Sequence, residues 1–433
     1  MIQRWIFIIC LLSAFSAGSQ TNYFPPLDNS EWKITDPKSL GWNTSLLPDL
    51  QSFLETTHTK AFIILKDGKI VLEYYLNGHT SALPRYWASA GKSLTSVLVA
   101  VAESERKLNL QDSTSKYLGK GWTSCNQNDE NKIKLIHHIT MTTGFDESID
   151  FECTLPSCFQ CKAVPGTRWS YHNSPYTILD QILEKATGQQ LNSYFKVKIG
   201  DPIGMAGLFV KLEENNVFFS TARSMARFGL LVLNKGKWND RVIVKNDDYI
   251  KKMTESSQGL NPAYGYLWWL NGKGQFMLPG TQIRFNGSII PSAPKDLFAA
   301  LGKNDQKLEI IPSLNLVLVR LGDDAYGSTN NVPTQFDEAL WKKLNPIMNL
   351  STDNREDLIA YTGEKIAWYA HGTIYLKEYI QPKMVELTSL SGKHSVLLNA
   401  GYGYDIHDLP IGIYSIRVYD RSGKVFINKI FKY

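Results

Sequence analysis

Apolar positions along the chain change their period in blocks, and each block predicts an element. The run "KAFIILKDGKIVLEYYLNG" holds two apolar stretches around Asp67-Gly68, a turn dipeptide, and predicts a two-stranded hairpin. After Ser89, the residues Leu94, Val97, Leu98 and Val101 recur at three- and four-residue intervals and predict a buried helix. "SPYTILDQILEKATG" has helical spacing and stops at Gly188; "TARSMARFGLLVLNKG" does the same and stops at Gly236. Strand-like runs then return in "YGYLWWL", "LFAAL" and "KLEIIPSLNLVLVRLG". The order strands, helices, strands predicts one α/β sheet built from both ends of the chain, with a helical insertion between. Around residues 345–360 the chain turns polar ("NLSTDNRED"). Beyond it, "KMVELTSLSGKHSVLL", "GIYSIRVYD" and "KVFINKIFKY" alternate, with turns at Ser391-Gly392 and Ser422-Gly423. These runs predict a separate small β-sandwich whose core would draw on Leu409, Ile413, Tyr414, Ile416, Val418 and Val425.

Composition adds limits. The chain has 433 residues, enough for a large domain and an appendage. A net charge of +5 without a basic block argues against a nucleic-acid surface. Arg4, the apolar run Trp5 to Leu12 and the small residues Ser16, Ala17, Gly18 and Ser19 read as a secretory signal, residues 1–19. A short buried helix is the other reading. The run is too short to span a membrane, which takes about 20 residues. The rest divides into one large domain, 20–350, and the tail, 353–433. Cys125, Cys153, Cys158 and Cys161 remain after the signal, an even set that export turns toward disulfides. Cys158-x-x-Cys161 also has zinc-ligand spacing, and the pairing stays open.

Candidate chemistry begins at "RYWASAGKSLTSVLVAVAESERKLNL". If Ser89 opens the helix, Lys92 lies one turn on, on the same face and within reach of the hydroxyl. The helix N-terminus favours a developing alkoxide. As a base the lysine must be neutral, and lowering its pKa from about 10.4 to about 7 takes about 4.6 kcal/mol, which burial and nearby cations can supply. The alternative is an N-capping serine beside a solvated lysine. A second stretch, "VPGTRWSYHNSPYTILDQILEKATG", carries Tyr171-His172-Asn173: a phenol placed to relay a proton and an amide placed to hold substrate.

On these residues the chain resembles the serine β-lactamase and penicillin-binding-protein superfamily, in particular its class C β-lactamase-like branch of esterases, peptidases and amide hydrolases. "SAGKS" matches the family's Ser-x-x-Lys and "PGTRWSYHN" its Tyr-x-Asn stretch; "IHHITMTTGFD" and "FFSTARSMARFGLLVLNKGKWND" look like two more family stretches, with Ser224 where the acid usually stands. The resemblance covers roughly residues 50–345. It implies an antiparallel sheet flanked by helices, an all-helical insertion, and no cofactor. It implies Ser89 as nucleophile, Lys92 as base, Tyr171 as proton shuttle and Asn173 as substrate-positioning amide. The third family motif, Lys-Thr-Gly or His-x-Gly, falls by position at Ala300-Leu301-Gly302, without its basic residue. Gly302 would let the strand pass close to the acyl group, and the backbone N–H groups of Ser89 and of Lys303 or its neighbour would hold the oxyanion. The missing cation weakens the case for binding a substrate carboxylate, and so for β-lactam turnover.

Other candidates have plainer readings. His137-His138 lack partners at ligand spacing and read as ordinary histidines rather than a metal site. Trp268-Trp269 beside Tyr264 and Tyr266 could line a cleft or fill a packed strand. Asn43-Thr44-Ser45 fits a glycan acceptor. The tail "YDIHDLPIGIYSIRVYDRSGKVFINKIFKY" resembles the C-terminal sorting domain of type IX secretion cargo, which implies the secretion machinery as partner; a substrate-binding β-domain is the other reading. The expectation is an exported serine hydrolase acting on a small-molecule ester or amide. A D-alanyl-D-alanine carboxypeptidase or β-lactamase, and an inactive binding protein that keeps the fold, are the alternatives.

Overall fold

The computed structural model describes residues 22–28, 31–327 and 334–350, and in the tail 367–370, 373–377, 380–389, 395–398, 403–409, 412–421 and 425–432. The signal-peptide reading lies outside these residues. Helix α1 (Leu47–Thr56) leads into β1 (Thr59–Lys66), and β2 (Lys69–Tyr75) returns antiparallel to it. The predicted turn is there, with Asp67 and Gly68 both left-handed at φ 54° and 79°. Short β3 (Arg85–Tyr86) precedes α2 (Gly91–Ser104), α3 (Leu135–Ile139) and α4 (Asn173–Thr187). Strands β4 (Gly207–Leu212) and β5 (Asn215–Ser220) lead to α5 (Ala222–Leu233). The chain then lays down β6 (Trp269–Leu270), β7 (Phe298–Gly302), β8 (Gln306–Ile311) and β9 (Leu316–Gly322), and closes the domain with α6 (Gln335–Ile347).

The main sheet is antiparallel in the order β2-β1-β9-β8-β7-β6, so both ends of the chain build it, as the order of elements predicts. A row of paired residues, Ile63, Val319, Leu308 and Ala300, crosses four strands. Strands β7, β8 and β9 are buried along their whole lengths. Helices cover both faces, which is why these strands read as continuous runs without alternation. On one face α5 sits so close that a Cβ on Gly229 would come within 2.5 Å of Val317 and 2.7 Å of Leu308. On the other, α6 brings Asp337 to Lys307 and Trp341 to Glu309.

Two details differ from the sequence reading. The insertion also carries a three-stranded sheet, β3-β5-β4. Its hairpin turns at Glu213, held left-handed at φ 54° without a glycine, asparagine or proline at that position to announce it. "YGYLWWL" keeps only two strand residues, because Leu267 is left-handed at φ 60° and breaks the run.

In the tail, strands Ala367–Ala370, Thr373–Leu376 and Gly403–Asp405 form one sheet. Ser395–Leu398, Pro382–Ser389, Gly412–Asp420 and Val425–Lys432 form another. They share a hydrophobic cluster distinct from that of the main sheet, with Tyr414, Ile416 and Val418 buried and Leu409 packed against them. Side chains of Ile413 and Val425 lie outside the described residues. Among the described residues no helix is long and apolar enough to cross a membrane. The cysteines pair as Cys125–Cys161 and Cys153–Cys158. Cys158 and Cys161 therefore belong to different disulfides and offer no shared thiolate pair for zinc.

Candidate active site

The site is built on a forced turn. Trp87 is fully buried; its backbone N–H donates to the Phe218 carbonyl (2.8 Å) and its indole N–H to Ser220 (2.9 Å), both on β5. Ala88 then turns left-handed at φ 47°, a costly conformation for a residue with a Cβ. Ser89 falls in the 3-10 turn Ala88–Ala90, two residues ahead of the first residue of α2.

The Ser89 hydroxyl is no helix cap, since neither the turn nor α2 takes a side-chain cap at its start. Lys92 Nζ instead donates to Ser89 Oγ at 3.0 Å. Nor is the lysine solvated, being 4% exposed. Its ammonium faces the rings of Tyr176 at 4.5 Å and Tyr171 at 5.2 Å, and it makes no ion pair with any described residue. Burial pushes its pKa down to about 7, against the opposing pull of the Glu152 and Asp180 carboxylates.

Tyr171 is buried, stacked on Trp269 (5.7 Å) and edge-on to Tyr264 (6.3 Å). Trp268 and Trp269 are both buried, Trp269 against the tyrosine and Trp268 against Phe228 and Phe298, so the pair is packed and not a cleft lining. The Tyr171 hydroxyl has no hydrogen-bond partner of normal geometry. Burial raises its pKa, while Ser89 is near enough to pull it the other way. Asn173 is the first residue of α4; its Nδ2 donates to Glu152 Oε1 at 3.4 Å, and its Oδ1 has no partner. Gly302 ends β7, where a Cβ would meet the Trp87 carbonyl at 2.4 Å and the Ala90 nitrogen at 3.1 Å. The strand therefore passes directly against the serine turn, and only glycine permits it. Ala300 and Leu301 are buried, and Lys303 is exposed just beyond. Ser89, Lys92, Tyr171 and Gly302 thus gather around one turn, and Asn173 stands at the start of α4, two residues beyond Tyr171.

Three further residues make local structural contacts. His138 is buried between the Pro175 carbonyl (Nδ1, 2.7 Å) and Thr114 (Nε2, 2.8 Å), which ties α3 to α4. Ser224 accepts from the Ala206 N–H and the Thr221 hydroxyl, both at 3.2 Å. Asn43 accepts from the Ser45 N–H at the start of a short 3-10 turn.

Two acids near Lys92 were missed from sequence. Asp180 lies one turn past Tyr176 on α4 and is 2% exposed. Asn216 donates to its Oδ2 at 3.0 Å, its Oδ1 has no partner, and burial pushes its pKa up to about 7. A polar residue inside the apolar stripe of that helix was the available signal. Glu152 comes from a loop 60 positions away and left no local signal.

The comparisons agree with this geometry. A family model described as Beta-lactamase matches residues 53–327. No curated protein matches the chain. Among solved structures, a candidate 6-aminohexanoate-dimer hydrolase from Bacillus anthracis aligns with TM-score 0.55 and 21% identity, covering 69% of this chain and 81% of that one. A candidate β-lactamase from Bacteroides dorei aligns with TM-score 0.56 and 15% identity, covering 71% and 99%. A hydrolase described as having promiscuous acyltransferase activity aligns with TM-score 0.52 and 12% identity, again covering 71% and 99%. At these identities the structural likeness speaks for the fold, while the family match takes in well over half of the residues: the chain belongs to the Beta-lactamase family, a family of serine hydrolases.

Proposed function

We propose that the protein is an exported serine hydrolase that cleaves an ester or amide bond through an acyl-enzyme on Ser89. The observation that carries this reading is the 3.0 Å contact from a buried lysine, with its pKa lowered to about 7, to the hydroxyl of Ser89. Neutral Lys92 takes the Ser89 proton as Oγ bonds to the substrate carbonyl carbon. Backbone N–H groups of Ser89 and Lys303 hold the resulting oxyanion. Tyr171, its hydroxyl uncommitted, passes a proton to the leaving group as the carbon–heteroatom bond breaks, and Asn173 and Gly302 position the acyl part. Water then attacks the ester on Ser89, the serine regains its proton, and the acid leaves.

The neutral, buried Ala300 supports simple esters over β-lactams or D-alanyl peptides, whose carboxylates need a cation. The apolar N-terminal run and the two disulfides support export, and the tail's likeness to sorting domains supports type IX secretion. An intact-mass experiment with a fluorophosphonate tests the central claim. One adduct is expected, mapped to Ser89 and absent from Ser89→Ala. An unlabelled protein, or an adduct on another residue, overturns the reading. Turnover of nitrocefin as efficient as that of a short p-nitrophenyl ester would overturn the argument from Ala300.

A further inference from the structure

The loop before Tyr171 fixes one acid at the site with unusual care. The Phe151 carbonyl accepts from the Ser174 N–H at 3.2 Å, which pins the loop to the start of α4. The Asp150 carbonyl takes His172 Nε2 at 3.0 Å, and the Asp150 carboxylate accepts the N–H groups of Glu152 (2.9 Å) and Cys153 (3.1 Å). Cys153 is bonded to Cys158, which closes the loop. Phe151 stacks on both Tyr171 and His172. Everything around Glu152 is held, and its own side chain reaches Asn173.

The neighbouring charges are spent elsewhere. Asp146 pairs with Lys162 at 2.8 Å and Glu147 with Arg168. Glu152 forms no ion pair among the described residues, and its charge is felt by Lys92, the buried base. In the strand that passes the serine turn, the residue where a cation would stand is Ala300, neutral and buried. The cleft thus presents a carboxylate beside the residue that holds the substrate, and no cation in the strand that flanks it.

We propose that Glu152 is a specificity-determining residue that selects substrates bearing a positive charge, an ammonium or guanidinium, on the part of the molecule seated at Asn173. A cationic group there exchanges the Asn173 contact for a charge-assisted one with the carboxylate, and an anionic group meets repulsion. The inference rests on the hydrolase reading only for which bond is cut.

Two p-nitrophenyl esters of equal acyl length, one ending in trimethylammonium and one in tert-butyl, differ only in charge. Wild type should show a kcat/KM ratio of about fivefold in favour of the cation, as an exposed charge pair gives, and the ratio should shrink as salt rises. Glu152→Gln should bring the ratio to near one, and Glu152→Lys should reverse it. An unchanged ratio in Glu152→Gln, or equal losses on both esters, overturns the proposal. Calorimetric binding of the same two chains as alkyl amides to Ser89→Ala reads the preference without turnover. If wild type cuts neither ester but the cationic amide still binds tighter through Glu152, the hydrolase reading fails and this one stands. If neither charge nor Glu152 affects binding, this one fails.

Discussion

Two lysines are buried in the sheet-and-helix domain, and they are kept in opposite ways. Lys307, on β8, is fully buried and pairs with Asp337 of α6 at 2.6 Å and with Asp305 at 3.3 Å. Around it Glu309 accepts from Trp341 at 2.8 Å, and burial beside Asp337 pushes the Glu309 carboxyl pKa up. Arg320, also buried, has backbone carbonyls of Thr57, Asn304, Asp305 and Asp323 and the Thr59 hydroxyl as acceptors. Lys92 has one hydroxyl and two ring faces. Burial is nearly equal for the two lysines, so the partners decide the outcome. Lys307 lies against two carboxylates; for Lys92, a hydroxyl and two rings leave burial free to lower its pKa to about 7.

The sharpest way to break this contrast is at the site itself. Ser89→Ala should cost up to about 10⁶ in turnover with little change in melting temperature, and Lys92→Met should be similarly inactive. The two should part in stability. The folded pKa of Lys92, about 7, lies below its unfolded value, 10.5. Between those values the unfolded chain binds the extra proton, so wild-type stability rises with pH across that window. At pH 7.5 the penalty is at most about 4 kcal/mol, and Lys92→Met removes it. Denaturant melts at pH 7.5 should find the variant more stable than wild type; a less stable variant would mean the lysine is not held against its preference.

Lys307→Met should do the reverse. Leaving Asp337 and Asp305 without their cation should cost about 3–5 kcal/mol in a denaturant melt, while the folded protein at low temperature keeps its ester hydrolysis. Wild-type stability in this variant would reduce the buried pair to packing. A smaller effect is expected on the pH profile. Activity should rise with pH through about 7 as Lys92 loses its proton, and Asp180→Asn, removing a nearby acid, should move that limb to lower pH. A limb that stays put, or moves up, would show that Lys92 does not sense Asp180. The smallest effect belongs to the tail. Its cluster is separate from that of the main sheet, so a chain ending at Leu350 should keep kcat/KM within about twofold of full length. In a host with type IX secretion the same truncation should hold the enzyme in the periplasm. Lost activity in the purified short chain would mean that the tail completes the site.

Which parts of this were legible in the sequence follows from distance along the chain. The helices after Ser89 and Asn173 were legible because their apolar stripes are local, and Ser89 with Lys92 because a separation of three residues closes the short turn that leads into α2. Gly302 was placed by family resemblance alone; its reason, the close pass against Trp87, belongs to residues more than 200 positions apart. The hairpin at Glu213 gave no turn signal. Ser89 and Asp305 mark the two lysines locally, but most of what separates their environments comes from other elements: Tyr171 and Tyr176 for Lys92, Asp337 for Lys307.

The close pass at Gly302 also bears on how this enzyme could change over evolutionary time. Position 302 is closed to substitution, since any side chain would displace the strand from the serine turn. A cation gained at Ala300 would enter a buried row between strands and become a third interior lysine, needing either partners of the kind that hold Lys307 or the neutrality imposed on Lys92. Lys303 is already cationic and exposed. The open route to carboxylate recognition is therefore a rearranged turn after Gly302 that carries Lys303 toward the cleft, a change in loop length or shape rather than a single replacement in the strand.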